Sequence, residues 1–252
     1  MIDTHCHLFK QYYDDIEEVI KKMDNNIIIV SGTNDLDNLE VIELCSKFSN
    51  VYGTIGVHPT EINHLTDKSF KIIEDNINNP KIVGIGEIGL DYYWEKDNKD
   101  LQKEVFIKQI NIAKKYNKCI VVHSRDSLND TYEILKEHGK GLKIDIHCFS
   151  SSLEMANNFI KLGCKLGIGG VLTFKNNVKL KEVIENIDLE NIMLETDSPY
   201  LTPEPFRGHK NEPYNIIYVA REISKIKSID LDKVLEITSK NAISQFDLPI
   251  QL

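Results

Sequence analysis

Two histidines separated by one residue stand near the start of the chain, in Asp3-Thr4-His5-Cys6-His7. Because alternate side chains of a β-strand point to the same face, a strand over these residues would bring both imidazoles together. Paired imidazoles are ligands for divalent metal ions such as zinc. With 8 histidines in 252 residues, such a pair arises by chance in roughly one chain in four, so it needs support from other residues.

Four further candidate ligands each stand at the end of a separate predicted strand. They are Glu87 after the fourth strand, His123 after the fifth, His147 after the sixth and Asp197 after the eighth. Taken singly, each has an ordinary structural explanation, such as a hydrogen-bonded core histidine or a turn that begins at an aspartate. Strand ends converge at the carboxyl face of an α/β barrel, so the joint pattern predicts a metal centre there.

The strands that would carry these residues are mostly rich in Ile and Val, as expected of strands covered on both faces. The predicted strands are Ile2–His7, Ile27–Ser31, Val51–Val57, Ile82–Ile88, Cys119–His123, Leu142–His147, Lys165–Gly169 and Ile192–Glu195. Between them, apolar residues recur with the period of an α-helix, as in the segment from Ile216 to Ile223. Asp35 is a candidate N-cap for the helix after the second strand.

Eight strand–helix units in 252 residues predict an α/β fold, a single (β/α)8 TIM-type barrel that forms one domain over residues 1–252. A doubly wound open sheet is the alternative. It is disfavoured because no dinucleotide-binding glycine motif follows the first strand. The glycines of the segment 84–89 are expected instead to permit a close backbone approach and a tight exit turn.

The formal net charge of −9 argues against a broad basic surface for nucleic acid, but not against a nuclease whose cleft is neutralised by metal ions. The five cysteines are an odd number without a C-x-x-C motif, which is typical of reduced thiols in a cytoplasmic protein. No stretch approaches the ~18 apolar residues of a membrane span. We also expect no secretory signal ahead of His5.

Seven short segments follow one another in the order of a known family. They are Asp3-Thr4-His5-Cys6-His7, Gly56-Val57-His58-Pro59, Gly86-Glu87-Ile88-Gly89-Leu90-Asp91-Tyr92, His123-Ser124-Arg125, His147-Cys148-Phe149-Ser150, Glu195-Thr196-Asp197-Ser198-Pro199-Tyr200-Leu201 and Arg207-Gly208-His209-Lys210-Asn211-Glu212-Pro213. Over nearly its full length the chain resembles the TatD family of metal-dependent deoxyribonucleases, within the amidohydrolase-like barrels.

The resemblance implies two divalent metal ions, held by four imidazoles and two carboxylates. The ligands would be His5, His7 and Asp197 for one ion, His123 and His147 for the other, and Glu87 as the bridge between them. Glu87 and Asp197 would be the catalytic residues, with Asp197 accepting the proton of the attacking water. The family resemblance implies Mg2+ in activity, whereas the imidazoles also suit Zn2+ or Mn2+. His58 is expected at the same face as a supporting residue.

Three residues are candidate contacts to the substrate. Arg125 and Arg207 can clamp phosphate, since a guanidinium binds two phosphate oxygens, although each could instead form a structural ion pair. Tyr92, with the aromatic residues that follow it, can stack on nucleobases. The alternative is that these rings pack the loop against the barrel.

The predicted function is hydrolysis of DNA phosphodiester bonds by a metal-activated water. The resemblance implies a 3′-to-5′ exonuclease acting on single-stranded ends of DNA. The cysteine pattern and the absence of a long apolar run predict a cytoplasmic protein with no membrane contact, and no obligate protein partner is evident from the sequence. Two alternatives stay open. One is a metal-dependent amide or ester hydrolase on the same dinuclear site, such as an aminoacyl-tRNA deacylase. The other is a non-catalytic metal-binding module, which is disfavoured because the ligand set leaves coordination positions open.

Overall fold

Strands and helices alternate through the structure, a computed structural model that describes residues 1–250. The strands are β1 (Ile2–Cys6), β2 (Ile27–Ser31), β3 (Val51–Ile55), β4 (Ile82–Asp91), β5 (Cys119–Arg125), β6 (Ile144–Ile146), β7 (Lys165–Ile168) and β8 (Ile192–Leu194). The helices are α1 (Ile16–Lys21), α2 (Asp35–Lys47), α3 (Asp67–Asn76), α4 (Lys99–Tyr116), α5 (Leu128–His138), α6 (Leu153–Lys161), α7 (Val178–Asn186), α8 (Ile216–Lys227) and α9 (Leu231–Phe246). Every predicted strand is present, and its ends lie within three residues of the prediction.

The first of two compact units comprises residues 1–30, 148–161 and 165 onward. Within it β1 pairs with β2, and β7 pairs with β8, both in parallel. A parallel bridge between Cys6 and Ser198 joins β1 to the segment that follows β8. Helix α8 buries Ile216, Val219 and Ile223, so the helical period seen in the sequence marks the face that lies in the core.

The second unit comprises residues 31–147 and 162–164 and contains the consecutive parallel strands β3, β4, β5 and β6. The glycines of β4 allow the close approach that the sequence predicts. A Cβ at Gly86 would lie 2.6 Å from Cβ of Val121. Gly89 has a φ of +141°, and a Cβ there would lie 2.0 Å from the carbonyl oxygen of His123. No larger residue fits these positions without moving β5.

The N-cap of α2 corrects one expectation. Asn34, not Asp35, accepts hydrogen bonds from the backbone N–H groups of Leu36 and Asp37, at 3.0 and 3.1 Å. Asp35 is the first helical residue, where its negative charge interacts favourably with the positive end of the helix dipole. Both residue types cap helices well, so composition alone does not separate neighbouring candidates.

No helix within residues 1–250 is long and apolar enough to cross a membrane. The single domain over residues 1–252 stays a prediction, and its last two residues lie outside the described part of the chain.

Gln109 of α4 holds the end of β3 in place. Its side chain is buried, accepts the N–H of Val57 at 2.8 Å and donates to the Val57 carbonyl at 3.0 Å. Val57 directly precedes His58, so this pair of hydrogen bonds fixes the position of the backbone that carries the His58 side chain.

Gln109→Leu should lower the free energy of unfolding by about 2–4 kcal/mol, because it leaves two buried backbone groups unpaired. Urea unfolding measures this loss. Asn111→Leu, at an exposed position of the same helix, is the control and should change stability by less than about 0.5 kcal/mol. Equal effects of the two substitutions would contradict the assignment.

Candidate metal centre

The first unit holds a group of three potential metal ligands, His5, His7 and Asp197, at the carboxyl end of β1. His5 and His7 are both buried, and their Nε2 atoms lie 3.2 Å apart. The one-residue spacing therefore gives the shared face that strand geometry predicts.

Asp197 reaches the two histidines from the turn that follows β8. Its φ is +54°, a left-handed conformation that aspartate adopts more readily than most residues. The Asp197 N–H donates to the carbonyl of His5 at 2.9 Å, and the His7 N–H donates to that of Ser198 at 2.7 Å. These bonds hold Oδ1 of Asp197 3.7 Å from Nε2 of His5 and 3.5 Å from Nε2 of His7.

Asp3 is a buried support beneath this group. Its carboxylate accepts hydrogen bonds from the N–H and hydroxyl of Thr196, at 2.9 and 2.6 Å, and from the N–H of His5 at 3.3 Å. Burial raises the pKa of Asp3 well above its usual value, although these hydrogen bonds oppose the shift. Asp3 thus ties β1 to the turn that carries Asp197.

The donor separations in this group, 3.2, 3.5 and 3.7 Å, fit a divalent cation. Around an ion with bonds of about 2.1 Å and tetrahedral angles, donor atoms lie about 3.4 Å apart. Two imidazoles and one carboxylate are donors that zinc, manganese and iron all accept. The group therefore has the chemistry and the spacing to hold one ion.

Glu87 of β4 is the centre of a second group, in the second unit. Its carboxyl group is almost fully buried, and three imidazoles surround Oε1. The distances from Oε1 are 2.8 Å to Nδ1 of His123, 3.4 Å to Nε2 of His58 and 3.5 Å to Nε2 of His147. The donor atoms of His58, Glu87 and His123 all lie within 4.8 Å of one another, as in groups that hold a metal ion.

Asp91, at the end of β4, contacts the ring nitrogen of His123 that faces away from Glu87, here called the outer nitrogen. Its Oδ2 lies 3.0 Å from Nε2 of the ring, while Oδ1 accepts the backbone N–H groups of Tyr93 and Trp94 at 2.9 and 2.8 Å. Burial disfavours ionisation of Asp91, yet the hydrogen bond from His123 and those from the backbone lower its pKa. Burial likewise disfavours charge on His123, but the bonds to Asp91 and Glu87 outweigh it and raise the pKa of His123 to about 9.

His58 faces Glu87 with its other ring nitrogen engaged locally. Nδ1 accepts the backbone N–H of Thr60 at 3.2 Å and lies 2.7 Å from the Thr60 hydroxyl. Burial, and then the nearby His123, lower the pKa of His58 despite the opposing effect of Glu87. This histidine is therefore neutral near pH 7.

The sequence predicts His58 only as a supporting residue, and Asp91 is not among the predicted site residues. A signal for Asp91 was present, because it follows Glu87 by four residues on one strand, and even spacing places both side chains on the same face. No comparable signal reveals which ring nitrogen of His58 faces Glu87.

Tyr92, a predicted substrate contact, has partners inside its own unit. Its hydroxyl donates to the carboxylate of Asp130 at 2.8 Å, and the ammonium of Lys99 lies 4.5 Å from the ring centroid. These contacts fit a ring that packs its loop, while the rings of Tyr93 and Trp94 are exposed. Contact of Tyr92 with a substrate stays a prediction.

The two predicted phosphate clamps both stack on aromatic rings at the surface. The guanidinium of Arg125 lies 4.1 Å from the ring centroid of Tyr93 and 5.5 Å from that of Trp94. The guanidinium of Arg207 lies 4.1 Å from the ring centroid of Phe174. Their roles toward a substrate stay predictions.

Comparison with known proteins relates the whole chain to one family. The model of TatD-related DNases matches residues 2–247. A Bacillus subtilis protein named as the uncharacterized metal-dependent hydrolase YabD is 40% identical over 247 residues, covering 96% of this chain and 97% of that protein. The Escherichia coli protein YcfH, named in the same way, is 31% identical over 263 residues, with 98% of this chain and 96% of that protein covered.

Solved structures lead to the same family. The crystal structure of YjjV, a TatD homologue from Escherichia coli, has a TM-score of 0.93 at 28% identity, covering 99% of this chain and 98% of that one. A TatD-family hydrolase from Entamoeba histolytica has a TM-score of 0.87 at 27% identity, with 98% and 97% covered. This likeness confirms the predicted (β/α)8 TIM-type fold class. The chain belongs to the TatD family.

Proposed function

We propose that this TatD-family metal-dependent hydrolase cleaves phosphodiester bonds of DNA as a 3′-to-5′ exonuclease on single-stranded ends. The observation that carries the proposal is the presence, in a chain of this family, of two separate groups of buried and half-buried imidazoles and carboxylates with the spacing of cation ligands. The family description names DNA as the substrate class. A cytoplasmic location is part of the proposal.

Each group would hold one divalent ion. His5, His7 and Asp197 are the ligands in the first unit, and Glu87, His123 and His147 are those in the second. When bound, two such ions lower the pKa of the attacking water and stabilise charge on the phosphate oxygens. The role of Glu87 as a bridge between the ions stays a prediction from the family resemblance.

Asp197 is the residue proposed to move the proton. Its side chain is partly accessible, at 14% exposure, whereas that of Glu87 is 4% exposed. A carboxylate at this position can accept a proton from water and return it to the leaving 3′ oxygen. The hydrogen bond from the Asp197 N–H to the carbonyl of His5 holds the carboxylate in place for both transfers.

The surface of the second unit offers a platform for the substrate, formed by Tyr93, Trp94 and Arg125. Tyr93 and Trp94 are 44% and 65% exposed, which is high for aromatic rings. Nucleobases stack on such rings with about 1–3 kcal/mol per base. The N–H groups of a stacked guanidinium point away from the stack and can donate to a phosphate. Tyr92 would support this platform through its bond to Asp130.

The metal requirement follows from the donor set. Imidazole ligands favour zinc, manganese or iron, whereas magnesium prefers oxygen ligands. The donor set therefore favours activity with Mn2+ or Zn2+, whereas activity with Mg2+ is expected from the family resemblance. Comparison of turnover with each ion at matched occupancy ranks them.

Glu87→Gln and Asp197→Asn should each lower the release of mononucleotides from end-labelled single-stranded DNA by about 100-fold or more. Each substitution removes a charged metal ligand, and that of Asp197 also removes the proton acceptor. The control is His64→Asn, an exposed position in the Pro59–His64 turn, which should keep the parent activity.

The choice of substrates makes this assay decisive. A label at the 3′ end should be released before a label at the 5′ end. If DNA stays intact while an aminoacyl-tRNA or a cyclic amide is hydrolysed, the protein is an ester or amide hydrolase and the proposed nuclease activity is wrong. Binding of these compounds without turnover would favour a non-catalytic module.

Removal of metal should destabilise the protein, and reloading should restore it. At a free ion concentration of 100 times Kd, one site adds about 2.7 kcal/mol to the free energy of unfolding. Metal analysis should find two ions per chain, with one lost in His5→Ala and one in His147→Ala. The control Asp14→Asn alters an exposed carboxylate and should change neither the metal content nor the stability. If either histidine variant keeps both ions at parent affinity, that ligand assignment is wrong.

A further inference from the structure

We propose that His58 and His123, which contact the same oxygen of Glu87, have opposite roles. His123 is a metal ligand through Nδ1, positioned by Asp91. His58 is a hydrogen-bond donor through Nε2 that positions Glu87 and does not bind metal. The assignment of His123 rests on the proposed metal centre, whereas that of His58 follows from contacts within the protein alone.

The outer nitrogen of each ring decides its role. A neutral imidazole carries one proton, so a ring nitrogen that accepts a hydrogen bond leaves the proton on the other nitrogen. A nitrogen that bears a proton cannot bind metal, and one with a free lone pair can.

For His123 the outer nitrogen is Nε2, which lies 3.0 Å from Oδ2 of Asp91. An ionised carboxylate can only accept, so Nε2 carries a proton. Nδ1 lies 2.8 Å from Oε1 of Glu87, a second carboxylate, and therefore carries a proton as well in the absence of metal. A metal ion would take the place of that second proton, which leaves Nδ1 as the metal-binding nitrogen. This is the arrangement in which a carboxylate orients a metal-binding histidine.

For His58 the outer nitrogen is Nδ1, and its partner is the backbone N–H of Thr60 at 3.2 Å. A backbone N–H can only donate, so Nδ1 must be the acceptor. The proton then lies on Nε2, which faces Oε1 of Glu87 at 3.4 Å. The imidazole therefore donates to the carboxylate.

Asp91 is held firmly enough to impose this choice on His123. Its backbone N–H donates to Oε1 of Gln102 at 2.8 Å, and its carbonyl accepts from Nε2 of Gln102 at 3.0 Å. Its second carboxylate oxygen accepts the backbone N–H groups of Tyr93 and Trp94. Four hydrogen bonds thus fix Asp91 before His123 is counted.

The first test reads the tautomers directly. In protein with 15N-labelled histidine, long-range proton–nitrogen NMR spectra should show His58 with its proton on Nε2, both without metal and with zinc. With zinc, His123 should show a proton on Nε2 and a metal-bound Nδ1. His58→Gln and His123→Gln identify the two sets of signals. A metal-bound Nε2 in His58, or a proton on its Nδ1, overturns its assignment.

The second test compares metal affinities. Asp91→Asn should weaken one of the two sites by about 10–100-fold, since the new amide can donate to Nε2 and so favours the tautomer that cannot bind through Nδ1. Asp91→Glu, which restores the acceptor, should recover part of the loss. His58→Ala should keep both ions with less than about threefold change in Kd while lowering turnover. His58→Gln, which keeps a donor, should recover some turnover.

The outcomes separate this inference from the metal centre itself. A parent protein that takes up no ion overturns the metal centre and the role of His123 with it. A parent that takes up two ions, with an Asp91→Asn variant of equal affinity, overturns only the positioning role of Asp91. Loss of an ion in His58→Ala makes His58 a ligand and overturns its role as donor.

Discussion

A carboxylate buried in protein needs hydrogen-bond donors, and this requirement organises both groups of candidate ligands. Asp3 obtains its donors from Thr196 and from the backbone of His5. Glu87 is surrounded by imidazoles, and Asp91 is bound by His123 and by backbone N–H groups. A protonated imidazole or a divalent cation can each satisfy Glu87. The hydrogen bonds that stabilise the folded chain thus also hold these side chains in positions from which they could bind a metal ion.

The precision of each group comes from backbone contacts between strand ends. In the first unit, a turn nearly two hundred residues after β1 is bonded to it through the N–H of Asp197 and the carbonyl of His5. In the second unit, β4 and β5 run in register with Gly89 opposite His123. Because Gly89 has no side chain, the backbone that carries His123 can approach closely. Groups held by rigid strands keep their geometry better than groups held by loops.

Strand positions could be predicted because buried parallel strands are short runs of Ile and Val. Once the strands were placed, the histidines and carboxylates at their ends could be recognised as candidate ligands. The N-cap of α2 was placed one residue too late, since Asn34 and Asp35 are both good caps and only the backbone conformation separates them. The role of His58 could not be predicted, because it depends on a backbone N–H two residues away. Such a donor exists at almost every position of a sequence, and only the fold decides where it points.

The net charge of −9 restricts how the proposed nuclease would hold DNA. Phosphate contacts by cations give a single strand an affinity that falls with salt, by a slope of about −0.7 for each phosphate neutralised. Two arginines, Arg125 and Arg207, would contribute only a shallow slope of this kind. In the proposed function, the rest of the affinity would come from terms that do not depend on a basic surface, namely stacking on exposed rings such as Trp94 and contact of one phosphate with bound metal ions. A net negative charge disfavours a long duplex, with its two rows of phosphates, more than a single-stranded end, and this is consistent with the proposed cleavage of a terminal bond.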